Sequence, residues 1–381
     1  MQLTSPLTQK NSSKQHRVIN FYPGPGALPL PVLERVHAEL FNFNGTGMSV
    51  MEISHRSPEI QSIIDDSAER IKRLMELGEQ FEVIFLQGGG SLQFLMVPMN
   101  FSGSGDQIDY IDTGYWAEKA IRGAQSLDRD LEIIASSADR DHSYVPDLNK
   151  ISLRPEAKYL HLCSNNTVVG TQFNQFPNLP IPIIADMSSD FMSKVIDPTN
   201  LSCIYAHAQK NVGLSGVTVV LIRKEMLAKI SENIPEFLDY RTHIKRKSNY
   251  HTPPCFSIYI TWHILRWIEE DIGGLKQLGK INQEKADLLY QCIDSNPLFD
   301  CAVEKASRSQ MNVVFTLPTQ ELEKQFIQEA FEAGIVGVEG HRTRGGCRVS
   351  LYNGVTLKAV EALVEFIGKF AKKPRGTTSE S

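Results

Sequence analysis

A lysine and an aspartate stand at the ends of two apolar runs. Lys210 lies in YAHAQKN (205–211), delivered by the strand-like SCIYA (202–206). A glycine-bearing loop and a second apolar run, VTVVLI (217–222), follow it. Asp186 closes the run IPIIA (181–185). A lysine amine condenses with carbonyls. An acid beside a pyridine nitrogen keeps that nitrogen protonated, so the ring can draw electrons from a reacting carbon. Together they are the pair that pyridoxal phosphate (PLP) chemistry requires. A third segment, QGGGSLQF (87–94), follows the run EVIFL (82–86) and opens a helical pattern. Its glycines let the backbone approach a phosphate, and a helix N-terminus offers free N–H groups and a positive dipole end. No Gly-Lys-Ser/Thr follows, so this is not a nucleotide P-loop.

These residues need a frame that brings strand ends together. The runs EVIFL, IDYI (108–111), LEII (131–134), KYLHLC (158–163), IPIIA, SCIYA and VTVVLI predict strands, with helix-length segments such as 91–101 and 116–125 between several of them. Nearly all-apolar strands alternating with helices predict a mostly parallel sheet covered on both faces. Ligands of such sheets sit beyond the carboxyl ends of the strands, where Asp186 and Lys210 fall. After Pro254 the pattern changes. A long helical stretch (256–293) is expected to break at Gly273-Gly274. DCAVEK (300–305), QMNVVFT (310–316), a helix near 319–333, CRVSLY (347–352) and a helix near 356–372 then predict a smaller α+β domain.

Composition excludes several classes. The 381 residues suggest two or three domains. A net charge of -5 and only one short basic cluster, KRK at 245–247, speak against nucleic-acid binding. No apolar run approaches the ~18 residues of a membrane helix, and the polar first residues do not form a secretory signal. Six cysteines without CxxC spacing predict reduced thiols in a cytoplasmic protein and no metal site.

The wording of the chain resembles the phosphoserine aminotransferases, in the class V branch of the fold-type I PLP enzymes. The resemblance runs from about residue 18 to about 372. It is carried by NFYPGPGALP (20–29), GTGMSVMEISHRSPE (45–59), QGGGSLQF, TGYW (113–116), CSNNTVVG (163–170), ADMSSDFMS (185–193), YAHAQKNVG (205–213), LDYRTHIKRKSNYHTPP (238–254) and EGHRTRGGCRVSLYN (339–353).

The resemblance implies an α/β fold-type I transferase with a seven-stranded large domain and VTVVLI as its antiparallel strand. It implies a segment, 18–32, that joins the small domain, and the polar composition of 1–17 predicts a flexible tail before it. A large domain would span 33–270, a small one 271–371, and a disordered tail 372–381. It implies PLP bound by Gly90, Ser91, Trp116, Thr167, Asp186, Gln209 and Lys210, with Lys210 and Asp186 catalytic. His251 and Thr252 would reach the phosphate of the partner subunit, which requires a homodimer with shared sites. Arg348 would hold the substrate α-carboxylate, while Arg56, His341 and Arg342 surround a substrate phosphate. Arginine suits both anions because its guanidinium donates in bidentate fashion. The implied reaction moves an amino group between glutamate and 3-phosphohydroxypyruvate, giving O-phosphoserine for serine biosynthesis.

The chain departs from the family pattern at Asn166, at His251, and at His207, where a small residue is usual. His207 is either a packed residue or a titrating group near the site. The departures leave two alternatives open. One is a related aminotransferase for another acidic or phosphorylated 2-oxo acid, such as the 4-phosphohydroxythreonine precursor. The other is a PLP-binding protein without turnover.

Overall fold

The structure, a computed structural model, describes residues 17–374. Most of the two expected tails, 1–17 and 372–381, lies outside the described residues.

The seven apolar runs form one sheet. Its strand order is Phe81–Leu86, Thr218–Arg223, Leu201–His207, Ile183–Asp186, Leu160–Cys163, Gln107–Asp112 and Asp130–Ser136. All neighbours are parallel except Thr218–Arg223, which runs antiparallel to both of its partners. The fold is the α/β class expected. Successive side chains of a strand point to opposite faces, and both faces here are covered. Ile183, Ala185, Ile204 and Ala206 point to a core with Ile60, Ile64 and Ile264 from the helices Pro58–Leu74 and Cys255–Arg266. Ile184, Cys203 and Tyr205 point the other way. They meet Phe94, Val97 and Ile121 from the helices Gly89–Phe101 and Tyr115–Gln125. Burial on both faces explains why the inner strands are apolar without alternation, whereas the edge strand Asp130–Ser136 keeps exposed residues, Ile133 among them.

A separate core gathers Val313, Phe315, Phe326, Val349, Leu363 and Phe370, with Phe21 from the N-terminal segment. Residues Ile19–Asn20 pair with Ile335–Val336 and draw that segment there. The helix Leu275–Asp294 joins the two bodies. Leu275 and Leu278 belong to the sheet core, whereas Ala286, Leu289 and Ile293 belong to the smaller one. The break before it falls at Gly273 and Gly274, whose φ values of 87° and 93° suit glycine.

The run DCAVEK forms no strand. Asp300 alone bridges Thr316. Glu304 N donates instead to Ser143 O, and Val303 packs against Val168 and Val169, so the run docks on the large body and leaves the small sheet with Asn312–Phe315 and Cys347–Ser350.

Candidate active site

Register places the two key side chains together. Asp186 pairs with Cys163 on one side and Tyr205 on the other, so it ends the middle strand at the sheet's carboxyl edge. Lys210 follows the adjacent strand by one turn, and its Nζ donates to Ser189 Oγ at 2.8 Å and to Thr167 Oγ1 at 3.1 Å. The Thr167 and Ser189 hydroxyls also bond each other. The backbone under Ser189 is fixed, because its carbonyl accepts Asn211 Nδ2 at 2.8 Å.

Lys210 and Asp186 line a cavity of about 210 Å³ with Gly90, Ser91, Trp116 and Gln209. Phe94, Cys163, Ser188, Ser189 and His207 complete it. A larger, more open cleft of about 760 Å³ lies between residues 145–149, 172–177, 195–197 and 306–307. No lysine, arginine, histidine or cysteine lines it, so it lacks convergent chemistry.

The glycine segment performs its expected turn. Gly88 has φ +88°, and a Cβ there would meet Leu92 at 2.6 Å, so only glycine starts this helix. A Cβ on Gly90 would stand 3.4 Å from Ser188 Oγ and 3.8 Å from Asp186 Oδ2, inside the cavity. The helix begins at Gly89, and Gly90 and Ser91 of its first turn line that space.

Burial governs the electrostatics. It pushes the Asp186 carboxyl above its ordinary range, against the Ser188 hydrogen bonds and the Lys210 charge that favour ionisation. Asp186 Oδ1 accepts Ser188 N at 2.9 Å. Below it, Asp190 accepts from Ser164 Oγ at 2.5 Å and Gln172 Nε2 at 3.0 Å, and burial raises its pKa to about 6.

A cationic rim adjoins this cavity. Arg348 is buried, and its Nη1 donates to Thr167 O at 3.3 Å while its Nε has no hydrogen-bond partner among the described residues. The Tyr115 ring meets Trp116 edge-on at 5.1 Å and His341 at 4.8 Å. Lys119 and Arg342 draw the Tyr115 phenol below its ordinary pKa. Burial, then the charges of Arg348, Arg342 and Lys119, lowers the pKa of His341. Arg344, by contrast, is taken up by Asp141 at 2.6 Å.

Three predicted residues stand elsewhere. Thr167, His341, Arg342 and Arg348 lie at the rim of the Lys210 cavity without lining it, whereas Arg56, His251 and Thr252 stand away from that rim. His251 packs against Phe237 with ring centroids 4.9 Å apart, and Thr252 shares a surface pocket with Ser54 and His55. Asn249 Nδ2 binds His55 O at 2.8 Å, which sets the two segments side by side. Thr252 O accepts Gln87 Nε2 at 3.4 Å, a link to the glycine segment's start.

Ser189 and the Asp190 network are functional residues beyond those expected from the sequence. The signal was present as Ser188, Ser189 and Asp190, which follow Met187 in ADMSSDF and set hydroxyls at a strand's carboxyl end. Lys119 was missed as well, since a lysine on a helix looks like a solvated charge.

The fold and the site define an enzyme class built on a strand-end lysine and acid. The class-V aminotransferase family model matches residues 18–363, and the chain belongs to that family. It is 48% identical over 360 residues to a phosphoserine aminotransferase of Desulfatibacillum aliphaticivorans, covering 94% of this chain and 99% of that one. It is 49% identical over 358 residues to that of Geobacillus kaustophilus, with the same coverage. The solved structure of PLP-bound phosphoserine aminotransferase from Trichomonas vaginalis superposes with a TM-score of 0.88 at 38% identity, covering 92% of this chain and all of that one.

Proposed function

We propose that this protein is a PLP-dependent aminotransferase that moves an amino group between glutamate and 3-phosphohydroxypyruvate, giving O-phosphoserine for serine biosynthesis. The observation that carries the reading is the bridge through Thr167. Its hydroxyl accepts from Lys210 and its carbonyl from Arg348, which couples a carbonyl-capturing amine to a buried guanidinium that makes no carboxylate ion pair among the described residues. The near-half identity to phosphoserine aminotransferases over 94% of the chain supports the same substrates.

The residues fit PLP. Asp186 is a buried carboxylate whose charge burial opposes, so a protonated ring nitrogen is the partner it lacks. Gly90 leaves open the space beside it. Gly90, Ser91 and Gln209 would take the phosphate, Trp116 the ring face and Thr167 the phenolic oxygen. Bound PLP supplies a carbonyl for capturing amines and a ring that delocalises the electron pair left at a deprotonated carbon. Lys210 is the anchoring amine and, once free, the base that takes the proton from the substrate Cα and returns a proton as the acid. Ser189 and Thr167 aim its Nζ. Arg348 binds the α-carboxylate common to both substrates, and Arg342, His341 and Arg56 bind the phosphate of the acceptor.

The same reading makes the protein a homodimer. Arg56, His251 and Thr252 sit apart from their own cavity, Thr252 shares a surface pocket with the exposed Met51, and Phe41 on the preceding segment is 81% exposed. A second copy would bring His251, Thr252 and Arg56 to the neighbouring site. Residues 18–32 and 271–371 would then form the small domain on a large domain of 33–270. We place the enzyme in the cytoplasm. The cysteines are all free, and among the described residues no helix is long and apolar enough to cross a membrane.

The test is a panel of 2-oxo acids, with and without phosphate, assayed against glutamate. O-Phosphoserine from 3-phosphohydroxypyruvate is the expected dominant product. Equal use of unphosphorylated hydroxypyruvate would refute the substrate assignment, and absence of any turnover would refute the enzyme reading. Light scattering under assay conditions should report a dimer; an active monomer would refute shared sites.

A further inference from the structure

His207 belongs to the cavity, and neither the proton transfer nor the substrate contacts give it a task. It is the last residue of the strand Leu201–His207. Cys203 and Tyr205 point to the face covered by the helix Gly89–Phe101, and the two-residue period carries the His207 side chain to that face. One step past the sheet core, the ring therefore meets the start of this helix. A Cβ built on Gly89 would stand 3.1 Å from both Cε1 and Nδ1 of His207. The strand end is pinned, because His207 N donates to Ser188 Oγ at 3.1 Å. The ring lines the cavity with Gly90, Ser91, Gln209 and Lys210.

The local chemistry selects an anion. Gly90 and Ser91, in the first turn of that helix, line the same cavity as the ring, and the first N–H groups of a helix have no carbonyl partner within it. Burial and the Lys210 charge hold the imidazole pKa down to about 4. At neutral pH it is therefore uncharged, with one N–H to donate and no added repulsion toward Lys210. A neutral donor against a helix N-terminus complements a phosphate group without competing with the lysine for protons.

We propose that His207 is a positioning residue for the cofactor, donating a ring N–H to the phosphate of PLP. The inference rests on the PLP reading above and adds a contact within its phosphate cup. It gives His207 a role in retaining and orienting the cofactor, and none in proton transfer.

The experiment uses cofactor-free protein titrated with PLP and with pyridoxal, which lacks the phosphate, followed by absorbance and tryptophan fluorescence. His207→Leu keeps the bulk against Gly89 and removes the donor. His207→Gln keeps a donor. A hydrogen bond to a charged acceptor predicts that His207→Leu weakens PLP binding by roughly tenfold to a hundredfold. His207→Gln should recover a substantial part of the loss, and pyridoxal affinity should be the same in all three proteins. Wild-type PLP affinity in His207→Leu would overturn the inference while leaving the PLP reading intact. So would equal losses for PLP and pyridoxal, or equal losses in both variants, since packing alone would then explain the residue. A wild-type protein that bound no PLP would overturn the functional reading itself, and the inference with it.

Discussion

Lys210 Nζ lies 2.8 Å from Ser189 Oγ, and the two residues come from loops after neighbouring strands. The hydroxyl accepts from the amine, so it fixes where the amine points. Ser189→Ala removes that acceptor and leaves Thr167 as the remaining one. The expected result is a roughly tenfold loss in kcat, as befits one aligned hydrogen bond of about 1.5 kcal/mol. Lys210→Ala should abolish turnover with the fold intact. Steady-state rates and circular dichroism check both, and unchanged kcat in Ser189→Ala would refute the aiming role.

Asp186→Asn tests the buried charge. The amide keeps the shape but cannot hold a proton on the ring nitrogen. Preorganised electrostatic contacts of this kind are worth ~3 kcal/mol, so turnover should fall by about a hundredfold or more. Near-normal turnover would remove Asp186 from the mechanism.

Arg342 and Arg348 should separate by substrate. Both substrates carry an α-carboxylate, and only the acceptor carries a phosphate. Arg348→Ala should therefore slow both half-reactions. Arg342→Ala should cost about tenfold to a hundredfold in kcat/KM for the phosphorylated acceptor, and less for glutamate. The half-reactions, run separately by stopped-flow absorbance, decide this. Equal losses in Arg342→Ala would mean that it does not read phosphate.

Asp190 should make stability depend on pH. Its folded pKa of about 6 lies above its ordinary 3.8, because burial disfavours the charged form. The folded state therefore binds the proton more tightly than the unfolded state. The associated stability is complete below pH 3.8 and is lost as pH rises through about 6. Asp190→Asn carries no such charge, so its stability relative to wild type should rise by ~3 kcal/mol over the whole titration, of which about 2 kcal/mol falls between pH 4.5 and 7.5. A constant offset from disturbed bonds to Ser164 and Gln172 does not alter that slope. Urea unfolding of the cofactor-free proteins between about pH 4.5 and 7.5 measures it; parallel curves would contradict the assignment.

Much of the site was legible because its signals are local. A strand buried on both faces is apolar along its length, so the inner sheet strands stand out. A glycine turn that must reach positive φ and open a helix has a narrow composition, which marks Gly88 to Gly90. Asp186 and Lys210 were visible because the ligand edge of a parallel sheet is the carboxyl edge, and their runs end there. DCAVEK shows where locality fails. Its apolar residues suit an edge strand, yet Val303 finds its partners in Val168 and Val169, on another body.

The amino-acid sequence by itself thus determined the elements, the class of sheet, and which residue types wait at its ligand edge, since period and turn chemistry act over a few residues. Only the tertiary structure decided which of them meet. Arg348 reaches Thr167 across 181 positions. Ser189 holds Lys210 rather than capping a turn, and His207 faces the helix start. Arg56, His251 and Thr252 stand away from the cavity of their own chain. Each of these depends on strand register and on how two cores dock. A shift of one residue in a strand reverses every side chain, and no short stretch of sequence records that choice.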